Sequence, residues 1–342
     1  MKRTLLAACV GAASQAMAAV PDSRMEHVIV TVPIHKKAAE TALPVTVLSG
    51  DELKRLAASS LGETLGDQPG ISNSSFGPGV GRPVIRGQGG PRTINLSNGI
   101  AAADVSSLSP DHAVSIEPML AESVEVLRGP ATLLYGGGAI GGVINTLDNR
   151  IPAKPIEGVQ GAVEYRYDEA ADMDTGVVKL EGGGGNFAFH VSGTFREFDD
   201  LEIPGLAIDE AAVERQEELL GLEHGHEEHG EEDHEEHDEH DHEEELENSD
   251  GFIANTNGDS DVYTIGGSYH FGERNFVGLA YNRFETNYGI PPGAHEHDHG
   301  DEEEHEGEEH EGEEHEGEEH DDHDEHGPTV FSNESTEIQV AL

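Results

Sequence analysis

The chain has 342 residues, with 70 acidic and 19 basic side chains, a formal charge of −51, 21 histidines and a single cysteine. So small and scattered a share of Lys and Arg excludes nucleic acid as a partner, because phosphates are met by cationic side chains. Beyond the N-terminus no tract approaches the ~20 apolar residues of a membrane-spanning helix.

Lys2 and Arg3, the apolar stretch Thr4 to Ala13 and the small-residue site Ala16-Met17-Ala18 read as a secretory signal over residues 1–18. Leu6-Ala7-Ala8-Cys9 resembles a lipobox, but only eight residues precede Cys9. Cleavage after Ala18 removes that cysteine, so the mature chain is expected to lack disulfides and thiolate metal sites. Next comes a short β-prone stretch, Glu26, His27, Val28, Ile29, Val30, Thr31 and Val32, followed by a polar segment to about Thr41. Two readings fit it: an extended peptide that lends its backbone to a partner's sheet edge, or the first strand of the unit that follows.

From Pro44 to Pro152 the composition predicts a compact mixed α+β unit. "LPVTVLS" reads as a strand, and Ser49 with Glu52 and Ser60 with Glu63 fit two capping boxes, each opening a short helix. "RPVIRGQGG", "RTINLSNGI", "SVEVLRGP" and "GGVINTLD" read as strands separated by Gly, Pro and Asn turns. "GGGAIG", Gly136 to Gly141, matches a dinucleotide fingerprint, but the strand-like "GVINTLDNRIP" follows where a helix is required, so the match is read as fortuitous. No catalytic arrangement stands out, and an enzyme is not expected.

From Gly158 the pattern changes to strand-length segments with partial two-residue alternation: "VQGAVEYRY", "GVVKLEG", "NFAFHVSGTFREF", "DVYTIGGSYHF" and "NFVGLAYNRFE". In the fourth, Val262, Thr264, Gly266, Ser268 and His270 share one face and Tyr263, Ile265, Gly267, Tyr269 and Phe271 the other. Tight turns alternate with two long insertions, 200–259 and 288–327, the pattern of an outer-membrane β-barrel. A soluble β-sandwich is the other architecture the pattern allows.

Each insertion carries a run of carboxylates and imidazoles with no Lys or Arg. The run Glu223 to Glu247 holds His224, His226, His229, His234, His237, His240 and His242 among fifteen acids. The run His295 to His326 holds His295, His297, His299, His305, His310, His315, His320, His323 and His326 among nineteen acids. Imidazole and carboxylate without thiolate favour borderline dications, Zn²⁺ first, then Ni²⁺, Cu²⁺ and Co²⁺. The "HEGEE" repeat places its histidines five apart, about 140° around a helix, so no helical face collects them. Many equivalent weak sites on a self-repelling loop are expected, acting over roughly a Debye length of ~8 Å. A merely solvated acidic loop is the alternative. Carboxylate neighbours favour imidazolium, and metal must displace its proton, so capture is expected to weaken on mild acidification.

"VIRGQGGPRTINLSNGI" and "VEVLRGPATLLYGGGAIGGVINTLDNRIP" resemble the plug of TonB-dependent outer-membrane receptors, and "NRFETNYGIPPG" resembles their early barrel. Within that family the chain is most similar to the zinc-uptake type, with "SPDHAV" in the plug and histidine-rich external loops. The resemblance implies an α+β plug domain over 44–152, followed over 158–342 by the first strands of a transmembrane antiparallel β-barrel, incomplete in this chain. About six strands are too few to enclose a plug, and open edges in lipid leave backbone groups unpaired, so an N-terminal piece of a longer receptor is expected. The implied arrangement has a periplasmic segment 19–43 carrying a TonB box at 26–32 and TonB as partner. The outer membrane is its lipid environment, and zinc is cargo rather than cofactor. Asp111 and His112 are candidate metal ligands; alternatively Asp111 only turns the chain after Pro110 and His112 only packs. A siderophore, haem or nickel-chelate receptor and a surface metal buffer without transport stand as alternatives.

Overall fold

The computed structural model describes residues 28–29, 36–37, 45–102, 105–209, 211–212, 215, 248–271, 275–291 and 329–342. The signal, all sixteen histidines of the two runs, and Glu26, His27, Val30, Thr31 and Val32 lie outside these residues. Of the candidate TonB-contacting stretch only β1 (Val28–Ile29) is described, paired antiparallel with β2 (Lys36–Lys37).

The α+β unit begins with β3 (Val45–Ser49), α1 (Gly50–Leu56) and α2 (Leu61–Gly66). Ser60 caps α2 as expected, accepting a hydrogen bond from Glu63 N at 3.2 Å. Ser49 does not cap α1 with its side chain; the chain enters that helix instead through Gly50 at φ +56°. The hairpin β4 (Ile71–Ser75) and β5 (Gly81–Ile85) precedes β6 (Thr93–Ser97), β7 (Ile100–Ala101), β8 (Ser123–Leu127) and β9 (Gly142–Leu147). The sheet order is β3-β8-β9-β6-β7, antiparallel except for β6 beside β9. Leu53, Leu61 and Leu65 of the helices bury against Leu48, Ile85, Val124, Val126 and Ile144. The strand β9 directly after "GGGAIG" removes the dinucleotide reading, and Gly141 is there for close packing: a Cβ would sit 2.7 Å from that of Gln88.

The second unit is one six-stranded antiparallel sheet. Its strands are β10 (Gly158–Asp168), β11 (Met173–Gly184), β12 (Phe187–Phe198), β15 (Gly258–His270), β16 (Phe276–Gly289) and β17 (Val330–Ala341), in the order β10-β11-β12-β15-β16-β17. A separate hairpin of β13 (Leu201–Leu206) and β14 (Asp250–Ile253) occupies part of the stretch expected to be loop.

The polarity of the faces decides what this sheet is. Ser192, Thr194, Ser260, Thr264, Ser268 and His270 are buried against the α+β unit, whereas Tyr263, Ile265, Tyr269, Leu279, Ile338 and Val340 point outward and exposed. Each such apolar side chain left in water forgoes about 1.5–3 kcal/mol of burial, so the outward face belongs in hydrocarbon. A soluble sandwich turns polar side chains outward and apolar ones inward, the reverse of what these residues do. The architecture is an α+β plug followed by the first strands of a transmembrane β-barrel wall, with the edges β10 and β17 not closed on each other.

Glycines on the wall admit the Arg150–Ile151 segment that follows β9. A Cβ on Gly266 would stand 1.9 Å from Arg150 O, and one on Gly278 2.2 Å from Ile151 Cγ2. Gly266→Ala therefore overpacks backbone that cannot yield, and thermal melting in detergent is expected to show a loss of about 1–3 kcal/mol.

Candidate functional site

The plug loop Ser109 to Val114 lies against the end of the wall where β16 stops and β17 starts. The Arg82 guanidinium donates to Ser109 O, and His112 N reaches the same carbonyl at 3.4 Å, closing a turn through Pro110 and Asp111. Asp111 is buried, and its Oδ1 stands 3.3 Å from Nδ1 of the mostly buried His112. That nitrogen makes no hydrogen bond among the described residues. Ala113 N donates to the Tyr288 hydroxyl at 3.0 Å, and the His112 ring meets Phe331 edge-on at 5.0 Å. Asn333 Nδ2 donates to Ser115 Oγ at 3.2 Å. An oxygen and a nitrogen so placed suit a borderline dication, but two donors do not complete a shell. Among the described residues no three His, Cys, Asp or Glu gather to hold a metal.

Both insertions leave the wall at this same rim. The second leaves after Ile290 and returns at Thr329, whose carbonyl accepts from Ile290 N at 3.0 Å; Asn255 Nδ2 donates to both carbonyls, at 2.7 and 2.8 Å. The first is rooted by Ala207 N on Ser249 O at 2.8 Å and by paired Ile208–Asn248 hydrogen bonds. By register, the β12 end, the β15 start and the Tyr288–Phe331 pair form one edge of the sheet.

Deeper in the seam are charges that sequence reasoning did not single out. Arg196 of β12 and Glu117 of the plug pair at 3.1 Å, each side chain only 3% exposed. A cavity of about 20 Å³ touches Arg196 and Ser260, and another of about 20 Å³ touches Glu117 and Thr146. Each is large enough for one water. His190 is held between Glu181 Oε1 and Ser192 Oγ, both at 2.9 Å. Arg150 reaches Asp148 at 2.6 Å and Glu337 of β17 at 2.8 Å. The signal that could have found them is the strand alternation itself, which turns Arg196 and His190 inward.

Burial pushes the Asp148 carboxyl up, but the Arg150 charge and hydrogen bonds from Arg150 and Asn98 outweigh it and hold the group below the usual carboxylate range. Its stabilisation is therefore full above the ordinary Asp value of about 4 and drains as pH falls through the depressed folded value. Asp148→Asn is expected to melt below wild type at neutral pH, and the gap should close on acidification below about pH 4.

A family model described as TonB-dependent Receptor Plug Domain matches residues 37–143. Over that stretch the chain is similar to the plug domain of TonB-dependent receptors. The hemin receptor of Yersinia pestis is 34% identical over 107 residues, and that of Yersinia enterocolitica 35% over 108. Each alignment spans 31% of this chain and 15% of the relative. Among solved structures, the FpvAI–pyocin S2 complex aligns with a TM-score of 0.51 at 14% identity, over 77% of this chain and 27% of that one, a likeness of fold. The plug domain is the unit that presents Asp111 and His112 to the wall.

Proposed function

We propose that this protein is an outer-membrane receptor that imports its cargo with TonB, and that the cargo is a divalent metal ion, zinc first. The observation that carries the reading is the Asp111–His112 pair, held at 3.3 Å on the rim from which both insertions leave the wall. The runs gather dications at the surface, the pair receives one, and barrel residues complete its shell. TonB then draws on the segment Glu26 to Val32 and disturbs the plug, and the ion passes to the periplasm.

The likeness to Yersinia hemin receptors favours a second reading, in which the cargo is haem or another metal chelate such as a siderophore. Charge weighs against it. The two runs hold 34 carboxylates, and an anionic complex approaching them meets repulsion that a bare dication does not. Replacing both Asp111 and His112 by alanine separates the readings. Zinc uptake is expected to fall by more than about tenfold while hemin-supported growth is unchanged; the reverse outcome would assign the site to haem.

A further inference from the structure

We propose that Tyr288 and Phe331 are positioning residues for the Asp111–His112 pair, fixing the direction in which carboxylate and imidazole face the cargo. The inference rests on the reading of that pair as the cargo's contact in the plug. Tyr288 and Phe331 stand directly opposite each other on β16 and β17, and their rings stack at 6.0 Å and 23° on the inner rim. Together they form a two-ring platform beneath the loop.

Each ring does a different job. The Tyr288 hydroxyl accepts from Ala113 N, the peptide immediately after His112, and so fixes the backbone rotation that aims the imidazole. That hydrogen bond lies in apolar surroundings, with Val80, Phe198 and Ile290 in the same cluster, where water is a poor substitute partner. Phe331 lies edge-on to the imidazole at 5.0 Å and 64°, the favoured aromatic geometry, and limits the ring's rotation so that Nδ1 faces Asp111. Gly79 gives Tyr288 its seat: a Cβ there would be 2.8 Å from Tyr288 Cβ and 3.0 Å from Phe198 Cζ. A phenylalanine at 288 would fill the same space and lose only the grip on the loop.

The test is zinc affinity of the intact protein in detergent, with the sixteen run histidines changed to glutamine so that only tighter binding is read. Tyr288→Phe and Phe331→Leu are each expected to weaken zinc binding by about tenfold, the scale of losing a group that orients a ligand. Phe331→Tyr, which keeps the ring, should retain parental affinity. Phe198→Leu, in the same cluster, should lower the melting temperature and leave zinc affinity in place. If Tyr288→Phe and Phe331→Leu bind zinc as tightly as the parent while Asp111→Ala and His112→Ala lose it, the positioning role is overturned and the site stands. If Asp111→Ala and His112→Ala also bind like the parent, the site itself falls and the inference with it.

Discussion

Arg196→Ala is expected to destabilise the plug–wall assembly by about 3–5 kcal/mol, the cost of leaving a buried charge without its partner. Glu117 and Arg196 are each 3% exposed and 3.1 Å apart, and Arg196 also reaches Ser59 O at 3.3 Å. The carboxylate left behind keeps the hydrogen bond from Met119 N at 3.0 Å but loses its counter-charge in a seam where water enters only through the space the guanidinium vacates. Removing both charges is a different experiment. Glu117→Leu with Arg196→Met desolvates nothing ionic, and it is expected to recover most of the loss. Denaturant melts of Glu117→Leu, Arg196→Met and the double variant in detergent form the cycle that measures the coupling. Strict additivity of the single effects would show that the pair does not act as a unit.

Deleting Glu26 to Val32 from the intact receptor is expected to abolish energised uptake while leaving zinc capture at the cell surface unchanged. The segment's β-prone residues suit strand addition to a partner's sheet edge. Among the described residues Val28 and Ile29 pair with Lys36 and Lys37 in a two-residue ladder. So short a ladder is marginal on its own, and exchange for a longer one in a partner costs little. Uptake and binding of zinc, measured on the same cells, separate a transporter from a surface buffer: a buffer would bind zinc but show no energised uptake before or after the deletion.

The wall was the most readable part of the sequence, because alternation in "DVYTIGGSYHF" places Val262, Thr264 and His270 inward and Tyr263, Ile265 and Tyr269 outward, as the structure has them. The β13–β14 hairpin was not readable, since "LEIPGL" carries Pro204 and Gly205, which signal a turn rather than a strand. "ISNSS" concealed β4 for a related reason: it is polar and draws its strand character from the pairing of Ile71 with Ile85 and of its neighbours with β5. At Ser49 the capping-box spelling was present, but Gly50 took the chain into the helix by another route. At the candidate site, Asp111 and His112 could be named from sequence, whereas their neighbours could not. The Ala113–Tyr288 hydrogen bond spans 175 residues, and no local pattern announces a contact at that separation.

The outward face of the wall also governs how the protein must be handled on its way to the membrane. Ile265, Leu279, Ile338 and Val340 side by side on an oily exterior will find one another in any aqueous compartment before they find a bilayer. Such a chain needs an escort or an amphiphile from the moment it is made, and inclusion bodies are the default product wherever neither is supplied.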